Sequence, residues 1–226
     1  MKKSIISLII ISLCIGLKAK NFENKQFTLF AYEVKLSHDF EDIIEPLEGY
    51  IDQKVSYFSK KNQDKFEGKL YSTSFLLLDD ELRNNLSIDL MPVNSLAGVI
   101  DYNVYSFPDS RLRKAQKETE SNYYYKVEVH LDLLKVEDRF PEIENPDDYI
   151  CPEITVKINV YENIGILPAA EAKGSAYCQE PRKMNEEYIA SLLEYTPNDD
   201  KEIQEGSLLF LLNHAVKQAA GLLADQ

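Results

Sequence analysis

The clearest pattern along the chain is a strict alternation of apolar and polar residues over Tyr123–Leu133. A period of two residues predicts a β-strand with one buried face and one solvent-facing face. The same alternation returns over Ile154–Tyr161. After a turn-rich point it returns again over Ala170–Tyr177, where the apolar face holds Ala and Gly. These segments predict antiparallel strands, and the small residues leave room for a helix to approach closely.

A helical spacing of apolar residues marks the C-terminus. Leucine, alanine and valine recur at three- and four-residue intervals over Leu208–Leu223, after Ser207, a favoured N-cap. The segments Asp109–Glu120 and Glu186–Glu194 predict an exposed helix and a short helix. An apolar stripe over Phe40–Phe58 predicts another helix, which Pro46 either interrupts or starts, because proline is tolerated in a first turn but kinks a helix interior.

The remaining elements have weaker patterns. The segments Gln26–Leu36, Leu70–Leu78 and Val99–Phe107 are interpreted as strands, and Glu137–Pro152 as an acidic loop. Together the elements predict an α+β fold, in which helices pack on one face of a largely antiparallel sheet and the C-terminal helix is amphipathic.

Residues 1–19 have the pattern of a secretory signal peptide. Two lysines precede the apolar run Ser4–Leu17, and Ala19 is a small residue at a plausible cleavage position. The run is shorter than the about 20 residues that span a bilayer, so we expect cleavage rather than anchoring. Cys14 is interpreted as part of the apolar run, with lipidation as the alternative. We expect an exported protein, periplasmic or associated with the outer envelope.

Charge excludes one class of partner. The 226 residues include 38 acidic and 25 basic side chains. Removal of the three lysines in the predicted signal peptide leaves 22 basic residues and a formal charge of −16. An acidic surface does not displace counterions from a nucleic-acid backbone. Residues 20–226 predict one domain with no further membrane span.

Two cysteines, Cys151 and Cys178, follow the predicted signal peptide. They fall near the two ends of one predicted hairpin. In an oxidising compartment this placement predicts a disulfide, with two buried thiols as the alternative.

The sequence contains no recognised catalytic or metal-binding motif. It lacks a Gly-x-Ser-x-Gly elbow, a His-Glu-x-x-His pair, a Cys-x-x-Cys pair and a phosphate-binding glycine loop. We therefore expect no cofactor and no metal site. A catalytic pair of carboxylates, as in glycosidases, remains an alternative, because the 38 acidic residues offer many pairs and the sequence gives no means of choosing one.

The polar face of the predicted strands is the candidate binding surface. Tyr124 is expected to face solvent there, beside tyrosines of the neighbouring strands, and such a row suits stacking on a sugar or a protein partner. Cross-strand pairing that only stabilises the sheet is the alternative. The candidate residues are Tyr124, Lys126, Glu128, His130, Tyr161 and Tyr177.

The order of elements over Asp109–Leu223 resembles that of periplasmic α/β envelope modules. A helix, a Tyr-rich strand, a strand ending in the turn Glu162–Gly165, a small-residue strand and a closing helix follow one another. The curli-secretion lipoprotein, the penicillin-binding-protein activators and the amino-terminal domain of the Tol propeller protein are modules of this kind. The resemblance implies a non-catalytic envelope role through protein contacts.

The sequence thus predicts an exported binding or envelope-assembly protein whose partner is an envelope protein or a glycan. A secreted hydrolase with an unidentified carboxylate pair and a structural, self-associating envelope protein are the alternatives.

Overall fold

A five-stranded mixed sheet forms the centre of the fold. The computed structural model describes residues 22–47, 66–183, 185–193, 195 and 203–226. The strands are β1 (Gln26–Leu36), β2 (Asp89–Leu90), β3 (Tyr123–Leu134), β4 (Cys151–Glu162) and β5 (Ala170–Tyr177). Their order is β2-β1-β3-β4-β5. β1 runs parallel to both neighbours, whereas β3, β4 and β5 are antiparallel. The α+β class is confirmed, with a parallel part that the sequence did not predict.

Most helices cover one face of the sheet. They are α1 (His38–Ile44), α2 (Phe66–Asn85), α3 (Leu112–Glu118), α4 (Val136–Arg139), α5 (Glu186–Leu193) and α6 (Leu208–Ala224). Apolar side chains of α1, α2, α5 and α6 share one core with the inner face of the sheet. On the outer face, α3 covers only one end, where Ala115 packs with Phe30 and Tyr124.

The predicted close approach of a helix to the small-residue strand is confirmed. On β5, Ala172 and Gly174 are buried against α6. A Cβ atom at Gly174 would overlap the carbonyl oxygen of Ala215 and lie 2.6 Å from the backbone nitrogen of Ala219. As predicted, Ser207 caps α6, and its Oγ accepts from the backbone N–H of Phe210 at 3.1 Å.

The prediction of a strand at Leu70–Leu78 is wrong, because this segment lies inside α2. Its buried positions, among them Phe66, Leu70 and Leu77, recur at helical spacing. The hydroxyl-rich stretch fits a helix because each serine has an acceptor. For example, the Ser74 Oγ donates to the Leu70 carbonyl at 2.6 Å.

The prediction of a strand at Val99–Phe107 is also wrong. This segment is irregular, and two of its aromatic side chains pack on α2 instead of lying in a sheet. Tyr105 and Phe107 stack on Tyr71, with ring centroids 4.7 and 5.4 Å apart. The Asn103 Oδ1 accepts from the backbone N–H groups of Tyr105 and Phe107 at 3.0 and 3.1 Å, which holds the chain in a turn.

Two other segments differ from the predictions. The helix predicted from Asp109 begins at Leu112, because the backbone of Asp109 bridges to Ala31 of β1 instead. The predicted loop Glu137–Pro152 contains most of α4, a 3-10 turn at Pro146–Asp148 and the first residues of β4. Pro152 is tolerated in β4 because its carbonyl oxygen still accepts from the Cys178 N–H at 3.0 Å.

The predicted strand Gln26–Leu36 and the short helix after Glu186 are confirmed. Of the predicted stripe Phe40–Phe58, α1 and a 3-10 turn at Glu45–Leu47 are described, and the rest lies outside the described residues. The predicted signal peptide, including Cys14, also lies outside them.

Candidate functional site

The structure places Tyr124 on the outer face of the sheet, yet only 1% of it is exposed. The prediction that it faces solvent is wrong, because α3 covers this end of β3. The Tyr124 hydroxyl donates to the Thr119 carbonyl at 2.8 Å and accepts from the Thr119 Oγ1 at 3.1 Å. Its polar group is therefore satisfied inside the protein.

The three tyrosines do not form one row. Tyr161 lies directly opposite Tyr124 and packs edge-on against Phe30, with ring centroids 5.7 Å apart. Tyr177 lies opposite Glu153, eight residues away along β4, which is about 26 Å in an extended strand. Tyr124 and Tyr161 thus form a cross-strand pair, and Tyr177 stands apart at the other end of the sheet.

An ion network occupies the middle of the outer face. The Lys126 Nζ lies 2.6 Å from the Glu33 carboxylate and 3.1 Å from that of Glu128. The Lys35 Nζ contacts Glu33 at 3.0 Å. Burial opposes ionisation of Glu33, but hydrogen bonds from Lys126 and Lys35 outweigh it and lower its pKa. The part of Glu33 in this network could not be predicted from the sequence, because nothing in the sequence shows that β1 lies beside β3.

His130 is exposed on β3, two residues beyond Glu128 and opposite Thr155 of β4. Within the described ranges, no group of three or more His, Cys, Asp or Glu residues is arranged to hold a metal ion.

The predicted disulfide is present. Cys151 and Cys178 are bonded, with their Cα atoms 5.3 Å apart, and both are buried against Val136 of α4. The bond joins the start of β4 to the residue after β5. At the same end, the Arg139 guanidinium lies 3.9 Å from the centre of the Tyr177 ring. This end of the hairpin is therefore fixed by covalent and cation–π contacts.

A groove of about 690 Å³ lies between the end of β5 and α6. We call it the β5–α6 groove. One wall is the strand edge at Ser175–Cys178, and the other is the helix stripe Phe210, His214 and Gln218. Arg182 lies at one end, near Glu180 at 3.6 Å. Sequence reasoning found Tyr177 but not the groove, because nothing in the sequence shows that α6 lies beside this edge.

The opposite end of the hairpin presents apolar side chains to solvent. We call Asn163–Ala169 the hairpin tip. Its exposed fractions are 82% for Ile164, 57% for Ile166 and 78% for Leu167. The Gln116 Nε2 of α3 donates to the carbonyls of Glu162 at 2.9 Å and Gly165 at 2.7 Å. The sequence showed a turn here, and its three aliphatic residues were the signal that we missed.

No helix in the described part of the chain is both long and apolar enough to cross a membrane. The hairpin tip is thus an apolar surface on a protein whose described helices do not span a bilayer.

Comparisons with known proteins give weak likenesses. No family model matches the chain, and no curated protein matches it significantly. Similar solved structures include the hypothetical protein CT253 from Chlamydia trachomatis, at 8% identity and a TM-score of 0.36, over 69% of this chain and 73% of that one. The PelC dodecamer from Paraburkholderia phytofirmans has 7% identity and a TM-score of 0.38, over 92% of each chain. At these values neither likeness supports a statement about function.

Proposed function

We propose that the protein is an exported, non-catalytic binding or envelope-assembly protein that docks a partner protein through the hairpin tip. The observation that supports this best is the exposure of Ile164, Ile166 and Leu167 together at one tip. Burying an aliphatic side chain of this size contributes about 2 kcal/mol. An apolar pocket on a partner would therefore gain substantial affinity from three of them.

The tip is held in place before any partner arrives. The two hydrogen bonds from Gln116 fix the backbone of the turn, and Pro168 restricts it further. A loop that is already ordered loses less conformational entropy on binding. These contacts suit a surface that docks as a unit.

Export is supported by the disulfide and by the pattern of residues 1–19. Disulfides persist in oxidising compartments such as the periplasm. The elements on which the resemblance to periplasmic envelope modules rests follow one another as α3, β3, β4, β5 and α6, with the short helices α4 and α5 inserted between them. Kinship with the curli-secretion, penicillin-binding-protein-activator or Tol types is part of this proposal.

The outer face of the sheet is a second proposed contact surface. Lys126, Glu128, His130, Tyr161 and Tyr177 lie on it, whereas the buried Tyr124 contributes packing only. The face is polar and open away from α3, which suits a partner with complementary charges or a glycan.

The residues that line the β5–α6 groove give little support to the alternative that the protein is a hydrolase. Glu180 and Glu205 line it, and both are exposed to solvent. A carboxyl group that acts as a general acid in glycoside hydrolysis typically lies in an apolar pocket. The geometry therefore favours binding over hydrolysis.

The test is co-purification of crosslinked complexes from cells that carry tagged variants. We expect the double variant Ile164→Ser/Leu167→Ser to recover at least about tenfold less of its dominant envelope partner, since a tenfold loss needs less than the burial energy of one such side chain. The control Leu222→Ser removes an aliphatic side chain that is 44% exposed on α6 and retains the partner. Equal recovery by both variants, or recovery of the protein alone, would overturn the proposal.

A further inference from the structure

β5 is the edge strand of the sheet, and its alternate backbone groups point outward. The Cys178 N–H donates to the Pro152 carbonyl of β4 at 3.0 Å. The backbone groups of the even-numbered residues of β5 therefore bond to β4. The N–H and C=O groups of the intervening residues, including Ser175 and Tyr177, therefore point away from the sheet.

Side chains of α6 cap part of this edge. The Gln218 Oε1 accepts from the Ser175 N–H at 2.7 Å, and the Gln226 Nε2 donates to the Glu171 carbonyl at 2.6 Å. Such capping protects an edge strand from unwanted pairing. These contacts also show that α6 runs antiparallel to β5 along its edge.

The edge is open at Tyr177, inside the groove. Among the contacts of the described residues, the Tyr177 N–H has no partner, and its carbonyl accepts only a long bond from the Gln179 Nε2 at 3.4 Å. The groove opens at this position, with Phe210 and His214 on the facing wall. The Gln218 cap on Ser175 lies within the groove, and beyond it the open backbone groups of Tyr177 and the apolar wall lie together.

We propose that the β5–α6 groove binds an extended peptide segment of another protein, added to β5 as a sixth strand. Main-chain bonds to the Ser175 carbonyl and to the Tyr177 N–H supply the pairing, as in other β-strand additions, while the Ser175 N–H stays bonded to Gln218. An apolar side chain of the segment packs on Phe210. The length from Ser175 to Gln179 accommodates about five extended residues, or about 16 Å. This site is independent of the hairpin tip, which lies at the other end of the hairpin.

The test selects nine-residue peptides from a random displayed library against the purified full chain and measures the binding of a selected peptide by fluorescence anisotropy. N-methylation is then introduced at each peptide position in turn. Because only alternate N–H groups of an added strand face β5, we expect a loss of at least about tenfold at alternate positions and little change between them. A selection without enriched peptides, or equal tolerance at every position, would overturn the proposal.

A variant of the protein gives a second measurement. Tyr177→Pro removes an outward N–H that the sheet does not use, and proline is tolerated at such edge positions. We expect peptide binding at least about tenfold weaker, and Tyr177→Ala, which keeps the N–H, to weaken it less. Lys173→Pro makes the same change outside the groove and is the matched control. Unchanged binding in Tyr177→Pro would contradict strand addition.

A second copy of this chain is the other possible occupant of the β5 edge, and it must be distinguished from a peptide of another protein. A dimer that forms with rising protein concentration, is lost in Tyr177→Pro and excludes the selected peptides would assign the edge to a second copy and overturn the peptide proposal. Failure of the peptide-binding test, or assignment of the edge to a second copy, leaves the hairpin-tip proposal intact. The hairpin tip is tested separately by Ile164→Ser/Leu167→Ser, which does not alter the groove.

Discussion

At the scale of single residues, Gly174 decides how closely α6 approaches the sheet. A Cβ atom there would overlap the backbone of Ala215, which cannot move without shifting the helix. We expect Gly174→Ala to lower the free energy of unfolding by at least about 2 kcal/mol, measured by urea denaturation. The control Gly221→Ala places a Cβ in open space on the same helix, and we expect it to be neutral or slightly stabilising. Equal effects would contradict the packing described for Gly174.

The ion network around Glu33 predicts a dependence of stability on pH. Because the folded-state pKa of Glu33 is lowered, its contribution is present at neutral pH and is lost as pH falls through that folded pKa, below the ordinary value of 4.5. We expect Glu33→Gln to be less stable than the wild type at pH 7, and the difference to vanish in strong acid. The measurement is the urea midpoint of both proteins across pH 2–7. A difference that is independent of pH would exclude the network as its cause.

The same residues show which details the sequence could supply. Alternation placed Lys126, Glu128 and His130 on the outer face, because the side chains of a strand alternate by geometry. It also placed Tyr124 there, but α3 covers that position, and no local pattern reports the packing of a distant helix. The pairing of Lys126 with Glu33 depends on which strand lies beside β3, which is a long-range property.

At the scale of elements, the disulfide closes the β4–β5 hairpin at the end opposite its tip. It links residues 27 positions apart, and in the chain-entropy view it contributes up to about 3.5 kcal/mol. We expect a reductant to lower the urea midpoint of the wild type. The variant Cys151→Ala/Cys178→Ala, already destabilised, does not respond to the reductant. A wild type that is equally stable with and without reductant would contradict a structural role for the bond.

Elements with one clear period could be predicted, and elements with mixed patterns could not. β3, β4, β5 and α6 bury one face against a single partner layer over most of their length, so their patterns are regular. α2 was mistaken for a strand because hydroxyl residues occupy buried positions in it. The Tyr32 hydroxyl donates to Ser74 at 2.8 Å, a partner on another element that makes burial of that serine favourable.

At the scale of the whole molecule, the parallel part of the sheet was missed for a physical reason. β1 is buried on both faces over residues 27–32, so this half of the strand is almost continuously apolar and does not alternate. Such a run indicates a strand covered on both sides.

The two proposed binding surfaces lie at opposite ends of one hairpin. The groove begins at Ser175, six residues along the chain from the end of the hairpin tip at Ala169, which is about 20 Å in an extended strand. The disulfide, Gln116 and α6 hold both ends in place. A rigid element with a binding surface at each end suits a protein that connects two others during assembly.

The most direct test of the central claim is site-specific photocrosslinking in intact cells, with a photoreactive residue at Leu167 or at Leu222. The first position lies at the hairpin tip, and the second is an exposed aliphatic site on α6. Docking through the hairpin tip predicts one discrete adduct with an envelope protein from position 167 and none from position 222. The same adducts from both positions, or none from 167, would contradict docking through the hairpin tip.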